Sequence, residues 1–476
     1  MEIKFTRHIL ALVAVVFVAL MIRMNLLGLH RMHMDECLYS SYAVRMVTHG
    51  DIGMNGGLRV DKPPVMFYIL ALSFLINGVT ENAARIPGII MSLVLICYAY
   101  ILARKIFKDD YAALFASAFC GLSVYVSAFS ATAFQDMPMA LFFIMSIVYA
   151  YDKRPFPSAV FYWLSVMSKP MTLFLGPVYL VFIIMYAGGL NGIKKDAFKY
   201  IKGSAVVIIP VFVWSALLAN PRFGMFMFFV TQQPEAMGIS FSFTGRLLNW
   251  FSMSGALLNS YYFLIIAPLL SVSAAVISAL NRDNESLKAG LFVSLTAVYC
   301  YLVFFVLKFR QFDRYLLIIQ PFLAFMLAWG FAAVMSYIKK RAFKAILAAF
   351  IVAAFSLPAL HIQSSGFEGG ALFKGSDGFD KAAAWLKQYE SPENEIRYLG
   401  GTLSWYGYFY LAESKYASAL PYYSSASILQ KKSGGRAFIV IDTAQTSAED
   451  INAIALSCRK AYSVSGSCGE LLIYEM

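Results

Sequence analysis

Charge is what this sequence has least of. Asp, Glu, Lys and Arg make up 14% of its 476 residues, against roughly 25% in ordinary soluble domains. That scarcity excludes a soluble globular chain. Also absent are a phosphate-cradling Walker loop, a dinucleotide-binding glycine fingerprint, a G-x-S-x-G elbow and a paired zinc-binding motif. A nucleotide-driven pump, a nicotinamide enzyme, a serine hydrolase of that type and a zinc hydrolase therefore all lack their working parts. The six cysteines show no metal-ligand spacing: four fall in or near apolar runs, and Cys458 and Cys468 lie in a polar tail. No internal repeat or low-complexity tract is visible.

What the chain does have is hydrocarbon: 60% of its residues are hydrophobic. Apolar runs of about 17 to 24 residues recur down to residue 361, and each can cross a bilayer core of roughly 30 Å. About eleven spans are predicted, at 9–29, 84–107, 111–130, 137–151, 156–168, 171–188, 203–220, 257–280, 289–307, 314–337 and 343–361. The first is read as a retained anchor, too long for a cleaved leader and without its small-residue cleavage site. Arg104, Lys105, Lys108, Lys153, Arg154, Lys194, Lys195, Lys199, Lys202, Arg282, Lys288, Lys339, Lys340, Arg341 and Lys344 fall in alternate loops on the side of the N-terminus. The positive-inside rule makes that side cytoplasmic. The net charge of +12 is therefore accounted for by anionic lipid, and no nucleic-acid partner is expected.

From Gln363 the composition turns polar. Helical patterns at 378–389 and 447–458 alternate with strand patterns at 396–401, 436–443 and 470–476, which predicts a small α/β domain on the outer face. Two domains follow: 1–361 in the membrane and 362–476 outside it. Outside, a Cys458–Cys468 disulfide is expected to staple the small domain, and two free thiols are the alternative.

The stretch from His30 to Pro64 is the first candidate for an active site. Asp35 and Glu36 sit where the chain leaves the first span. Leu38, Tyr39, Tyr42, Ala43 and Met46 follow at helical spacing, as in a helix lying on the membrane surface. Asp61 and Lys62 then return charge towards the bilayer before Pro63 and Pro64. Asp136 opens another apolar run, where a lone carboxylate is costly. A solvated loop start is the plain alternative for Asp35 and Glu36, and a rigid turn for Lys62. Against these stands a repeated exception to the positive-inside rule. Lys62, Lys169, Arg222, Arg246, Lys308, Arg310 and Arg314 all fall on the outward side. Carboxylates there can act as general base or bind a divalent cation; outward cations can hold phosphate. His30, His33 and His49 are irregularly spaced and read as interfacial residues before metal ligands.

The segments HMDECLYSSYAVRMVTHGD, VDKPPVMFYILALSFLINGVTENAARIPG, FQDMPMALF, SKPMTLFLGP and FRQFDRYLLIIQP together resemble the C-type membrane glycosyltransferases. Within them, the resemblance is to the branch of protein O-mannosyltransferases and lipid A aminoarabinose transferases. It covers about residues 5–361. It implies transfer of a sugar from a polyprenyl-phosphate carrier to a lipid, glycan or protein acceptor, outside the plasma (inner) membrane. Asp35, Glu36 and Asp136 are then the expected catalytic acids, and Lys62, Lys169, Arg310 and Arg314 the carrier-phosphate ligands. Asp61 matches an acid that in the aminoarabinose branch helps bind a metal, so a divalent metal is the one cofactor the resemblance leaves open. TQQPEAMG (231–238) stands where that branch has histidine, which argues against both that metal and aminoarabinose as the sugar. The rival reading is a transporter or flippase of an anionic lipid. Such proteins place charge near the membrane midplane between related halves, whereas here the charges collect in outward loops.

Overall fold

The computed structural model describes residues 7–27, 32–54, 62–186, 188–217, 242–306 and 313–360. In the tail it describes 378–389, 391, 393–399, 406–407, 409–411, 422–423, 428–429, 435–443, 446–465 and 470–476. The protein is a helical polytopic membrane protein with a small C-terminal α/β unit. Every predicted span is built around a helix. Among the described residues, six helices are long and apolar enough to cross a membrane, and a bent pair makes a seventh. Val65–Asn77, Asp136–Tyr151, Pro170–Tyr186 and Gln320–Ser336 are shorter apolar helices. The first of these was expected only as part of an outer loop.

In chain order, α1 is Arg7–Leu26, α2 Met34–His49, α3 Val65–Asn77, α4 Glu81–Phe107, α5 Asp110–Gly121, α6 Val124–Ser130, α7 Asp136–Tyr151 and α8 Pro155–Ser168. A 3-10 turn, Pro170–Leu175, leads into α9, Gly176–Tyr186, and then α10, Gly189–Leu217. The later membrane helices are α11 Phe243–Ser254, α12 Tyr261–Leu280, α13 Asn284–Val306, α14 Gln320–Ser336 and α15 Arg341–Leu360. Their starts are set by side-chain caps where polar residues precede apolar runs: Thr80 accepts from Ala83 N–H, Asp109 from Ala112 N–H, and Ser260 from Phe263 N–H.

The predicted span 111–130 is broken. α5 and α6 meet at 54°, because the chain at Leu122 and Ser123 bonds sideways instead of along a helix. Asn259 Oδ1 accepts from Val124 N–H at 2.6 Å, and its Nδ2 donates to the carbonyls of Leu122 at 2.8 Å and Phe355 at 2.6 Å. Ser123 Oγ donates to Leu257 O, and Gln320 Nε2 to Phe119 O. Away from water, such groups must be satisfied internally, and these side chains do it.

A charge sits inside the first span as well. Arg23 is fully buried and donates to Ser92 Oγ, Ala19 O and Gly121 O. It fastens α1 to α4 and to the end of α5.

The basic residues of the alternate loops gather at one end of the bundle. Tyr151 at the end of α7 donates to Lys105 O and lies against Tyr186 at the end of α9; Lys288 donates to Met185 O, and Lys344 lies over Tyr111. We refer to this as the basic end.

At the other end sits the tail unit, with α16 (Phe379–Lys387), α17 (Ala448–Ser457) and five strands. β1 is Glu395–Leu399, β2 Tyr422–Tyr423, β3 Ala437–Asp442, β4 Arg459–Ser465 and β5 Glu470–Glu475. Their order is β2-β1-β3-β5-β4: β1 runs parallel to β2 and β3, and β5 antiparallel to β3 and β4. β3 is buried along its whole length, as a central strand should be. The unit rests on the bundle through Phe409 against Phe74 and a 2.8 Å bond from Tyr410 Oη to Glu81 Oε1. Cys458 is a free thiol, and Cys468 lies outside the described residues.

Candidate active site

The site is built at the end of the bundle away from the basic loops, around the first turn of α2. His33 caps that helix: its Nδ1 accepts the Asp35 N–H at 3.1 Å, while Glu36 Oε2 accepts the His33 N–H at 2.8 Å. An imidazole used as an acceptor must be neutral at that nitrogen, and burial keeps His33 below its ordinary pKa. The cap aims the two neighbouring acids in different directions.

Glu36 points into the protein. Its Oε1 accepts from Arg85 Nε at 3.2 Å and from the Ala133 N–H at 2.9 Å; Arg85 Nη2 reaches Oε2 at 3.4 Å. Arg85 also donates to Leu27 O. Glu36 thus ties the start of α2 to α4, to the end of α1 and to the segment that leads into Asp136. Gly88, one turn beyond Arg85, lets α4 approach that same segment. A Cβ there would stand 2.5 Å from Ser130 O and 2.8 Å from Thr132 O.

Asp35 points outward and keeps 15% of its side-chain exposure. Its Oδ2 pairs with Arg314 Nη2 at 2.7 Å. Burial alone would raise this carboxyl, but the charge of Arg314, its hydrogen bond and the charge of Lys62 outweigh it and hold the group below the ordinary aspartate value. A second buried pair stands beside the first: Lys169 Nζ on Asp136 Oδ1, linking the C-terminal cap of α8 to the first turn of α7. Three rings carry the cations. Lys62 lies 5.3 Å from the Tyr39 ring, Arg314 4.6 Å from Phe134, and Lys169 4.1 Å from Tyr315. Directly inward from Asp136 and Lys169 is an apolar hollow lined by Met139, Met171, Leu175, Val303 and Ile318.

Of the residues singled out by sequence, Asp35, Asp136, Lys62, Lys169 and Arg314 therefore come together, with Glu36 immediately behind them. Asp61, Arg310, Lys308, Arg222 and the segment 231–238 lie outside the described residues. Phe134, Tyr315 and Arg85 were missed. Arg85 had a legible signal, a lone cation one turn into an apolar helix; the two aromatics had none among so many. No group of three His, Cys, Asp or Glu side chains among the described residues is placed to hold a metal. Asp35 and Asp136 each already carry a cationic partner, so the described donor set does not fit a divalent ion.

Residues 61–216 match the family model for dolichyl-phosphate-mannose-protein mannosyltransferases. ArnT from Cupriavidus metallidurans, in its crystal structure bound to undecaprenyl phosphate, superposes with a TM-score of 0.65 at 17% identity, over 97% of each chain. Its apo structure gives 0.67 at the same identity and coverage. The chain shares the fold of these ArnT structures. An uncharacterized protein of Aquifex aeolicus (strain VF5) is 24% identical over 185 residues, 37% of this chain and 37% of its own length. The family match includes Lys62, Arg85, Asp136 and Lys169.

Proposed function

We propose that the protein is a glycosyltransferase that moves a sugar from a polyprenyl-phosphate carrier to an acceptor at the end of the bundle remote from the basic loops. The observation that carries this reading is the convergence of Lys62, Lys169 and Arg314 on two buried-edge carboxylates, at the end of a bundle whose outer surface is hydrocarbon. A lipid phosphate needs both: cations for the head and, for the tail, the apolar surface that the bundle turns to the bilayer. The relatives favour it too, since the ArnT structure holds undecaprenyl phosphate.

In this reading, the acceptor hydroxyl stands at Asp35 and the anomeric carbon of the donor lies beyond it. The hydroxyl oxygen bonds to that carbon, and its proton passes to the Asp35 carboxylate. The bond from the carbon to the phosphate oxygen breaks, and the electron pair leaves with the polyprenyl phosphate. Negative charge grows on the leaving phosphate, where Lys62, Lys169 and Arg314 stabilise it; Arg310 is assigned the same role. Such preorganised donors are usually the largest catalytic contribution. Arg314 is shared: it keeps Asp35 ionised before the reaction and faces the leaving group during it. Asp136 holds Lys169, and Glu36 with Arg85 fixes the distance between the two pairs. Asp61 lies outside the described residues, and no step is routed through a metal.

The test uses purified protein, a panel of radiolabelled polyprenyl-phosphate sugars, and acceptor lipids, glycans and peptides, with and without chelator. Transfer from at least one donor is expected, and its loss on chelation would assign a divalent ion to the reaction. Lys62→Ala should raise the KM for the donor, with Lys62→Arg restoring most of it. No transfer from any donor, together with movement of labelled lipid across vesicles, would replace this reading with a flippase.

A further inference from the structure

The basic end of the molecule holds a feature that the glycosyltransfer reading does not use. α10 has 29 residues, Gly189–Leu217, about 43 Å at 1.5 Å per residue, well beyond a hydrocarbon core of roughly 30 Å. Its excess length lies at its N-terminal part, and two contacts fix where that part runs. Tyr186, just before it, lies 5.3 Å from Tyr151 at the end of α7. Gly203, fourteen residues into the helix, packs so tightly on the Phe156 carbonyl at the start of α8 that a Cβ would have no room. Both helix ends, of α7 and of α8, belong to the basic end. The 189–203 stretch is therefore pinned at each extremity to the same face of the bundle and runs along it.

Its side chains are sorted accordingly. Leu190, Phe198 and Ile201 are 63%, 65% and 64% exposed, and at 3.6 residues per turn they fall within about 80° of one another. Lys194 lies inside that arc, and Lys202, Lys195 and Lys199 follow on one side of it, about 40°, 60° and 100° beyond Phe198. All four lysines are exposed. One acid, Asp196, is among them, paired with Lys199 at 2.7 Å. Ile193 and Tyr200 face the other way and pack on the bundle. An exposed apolar stripe edged with lysine is the pattern of a helix lying in a lipid interface.

We propose that residues 189–203 form an interfacial helix that binds anionic phospholipid. Leu190, Phe198 and Ile201 enter the acyl boundary, and Lys194, Lys195, Lys199 and Lys202 hold lipid phosphates. Charge complementarity selects an anionic headgroup over a zwitterionic one.

The test is native mass spectrometry of the full-length protein in non-ionic detergent, titrated with phosphatidylglycerol or phosphatidylcholine. The wild type should prefer phosphatidylglycerol by about fivefold or more, since each lysine near an anionic headgroup contributes a factor of about that size. The K194Q/K195Q/K199Q/K202Q variant should lose that preference. Replacing the same four residues by Arg should keep it. Glutamine and arginine match lysine in helix propensity, so neither change disturbs an exposed helical face. An undiminished preference in the glutamine variant overturns the proposal. So does equal loss in the arginine variant, or a preference that disappears instead with K339Q/K340Q/R341Q.

Discussion

Asp35 and Glu36 are adjacent in sequence and opposite in circumstance. Glu36 is enclosed by Arg85, Ala133 N–H and His33 N–H, so its removal should be felt in stability. Glu36→Gln leaves Arg85 buried without its charge partner, a loss on the order of 3–5 kcal/mol; a clear fall in thermal unfolding temperature is the expected measurement. Asp35→Asn should leave that temperature nearly unchanged and lower kcat by about 10²–10⁴. The pH profile separates Asp35 further. Its folded pKa is depressed, so the carboxylate is ionised throughout the range above about pH 4, and no acid limb belonging to it should appear there. In Arg314→Gln, burial loses its main opponent and raises the group. The acid limb of kcat should then move upward into the measurable range. A profile identical in the two proteins would remove Asp35 from the proton transfer. Sequence placed both acids at the membrane exit but was silent on their partners. Arg314 and Arg85 are brought in by tertiary packing, and residue spacing does not encode which cation meets which carboxylate.

At the level of elements, the apolar runs were legible because hydrocarbon length leaves little choice, and α1, α4, α7, α12 and α14 fall where those runs are. The break between α5 and α6 was not. Leu122, Ser123 and Val124 look like any apolar stretch, and the bend depends on Asn259, whose side chain arrives from a later loop. α3 was missed as an apolar helix because thirteen residues are too few to read as a span. β4 was missed because its residues are largely exposed at the sheet edge, with little of the alternation that marks a half-buried strand. One close approach between elements has a direct consequence. α4 meets the segment before α7 at Gly88, where there is no room for a methyl group against two backbone carbonyls. Gly88→Ala must push α4 away, stretching the Glu36–Ala133 bond and separating Asp35 from Asp136. Overpacking of this kind typically costs about 1–3 kcal/mol. Because the displaced segment carries Asp136, kcat should fall by more than the stability loss accounts for when assayed well below the unfolding temperature. Wild-type turnover at that temperature would show that the spacing of the two ion pairs is not critical.

For the molecule as a whole, the asymmetry of charge decides which way the site faces. The basic end collects Arg104, Lys105, Lys153, Arg154 and Lys288 with the lysines of α10, while the candidate site and the tail unit occupy the other end. Lysine and arginine near span ends are retained on the cytoplasmic side, so we infer that the site and tail are extracytoplasmic. The outward cations do not contradict this. Lys169 and Arg314 are each matched to a carboxylate and partly or wholly shielded, so they do not present the solvated charge that resists translocation. The orientation can be measured with two single substitutions. Leu456, on α17 of the tail, is 88% exposed, and Lys195 lies exposed on α10 at the basic end. In intact cells, a membrane-impermeant maleimide should label Leu456→Cys above the background of the parent chain and should leave Lys195→Cys unlabelled. After the membrane is opened, Lys195→Cys should react as well. The opposite pattern would turn the molecule over and place the candidate site on the cytoplasmic face. Labelling of both in intact cells would point to mixed insertion, in which the charge asymmetry fails to set a single topology.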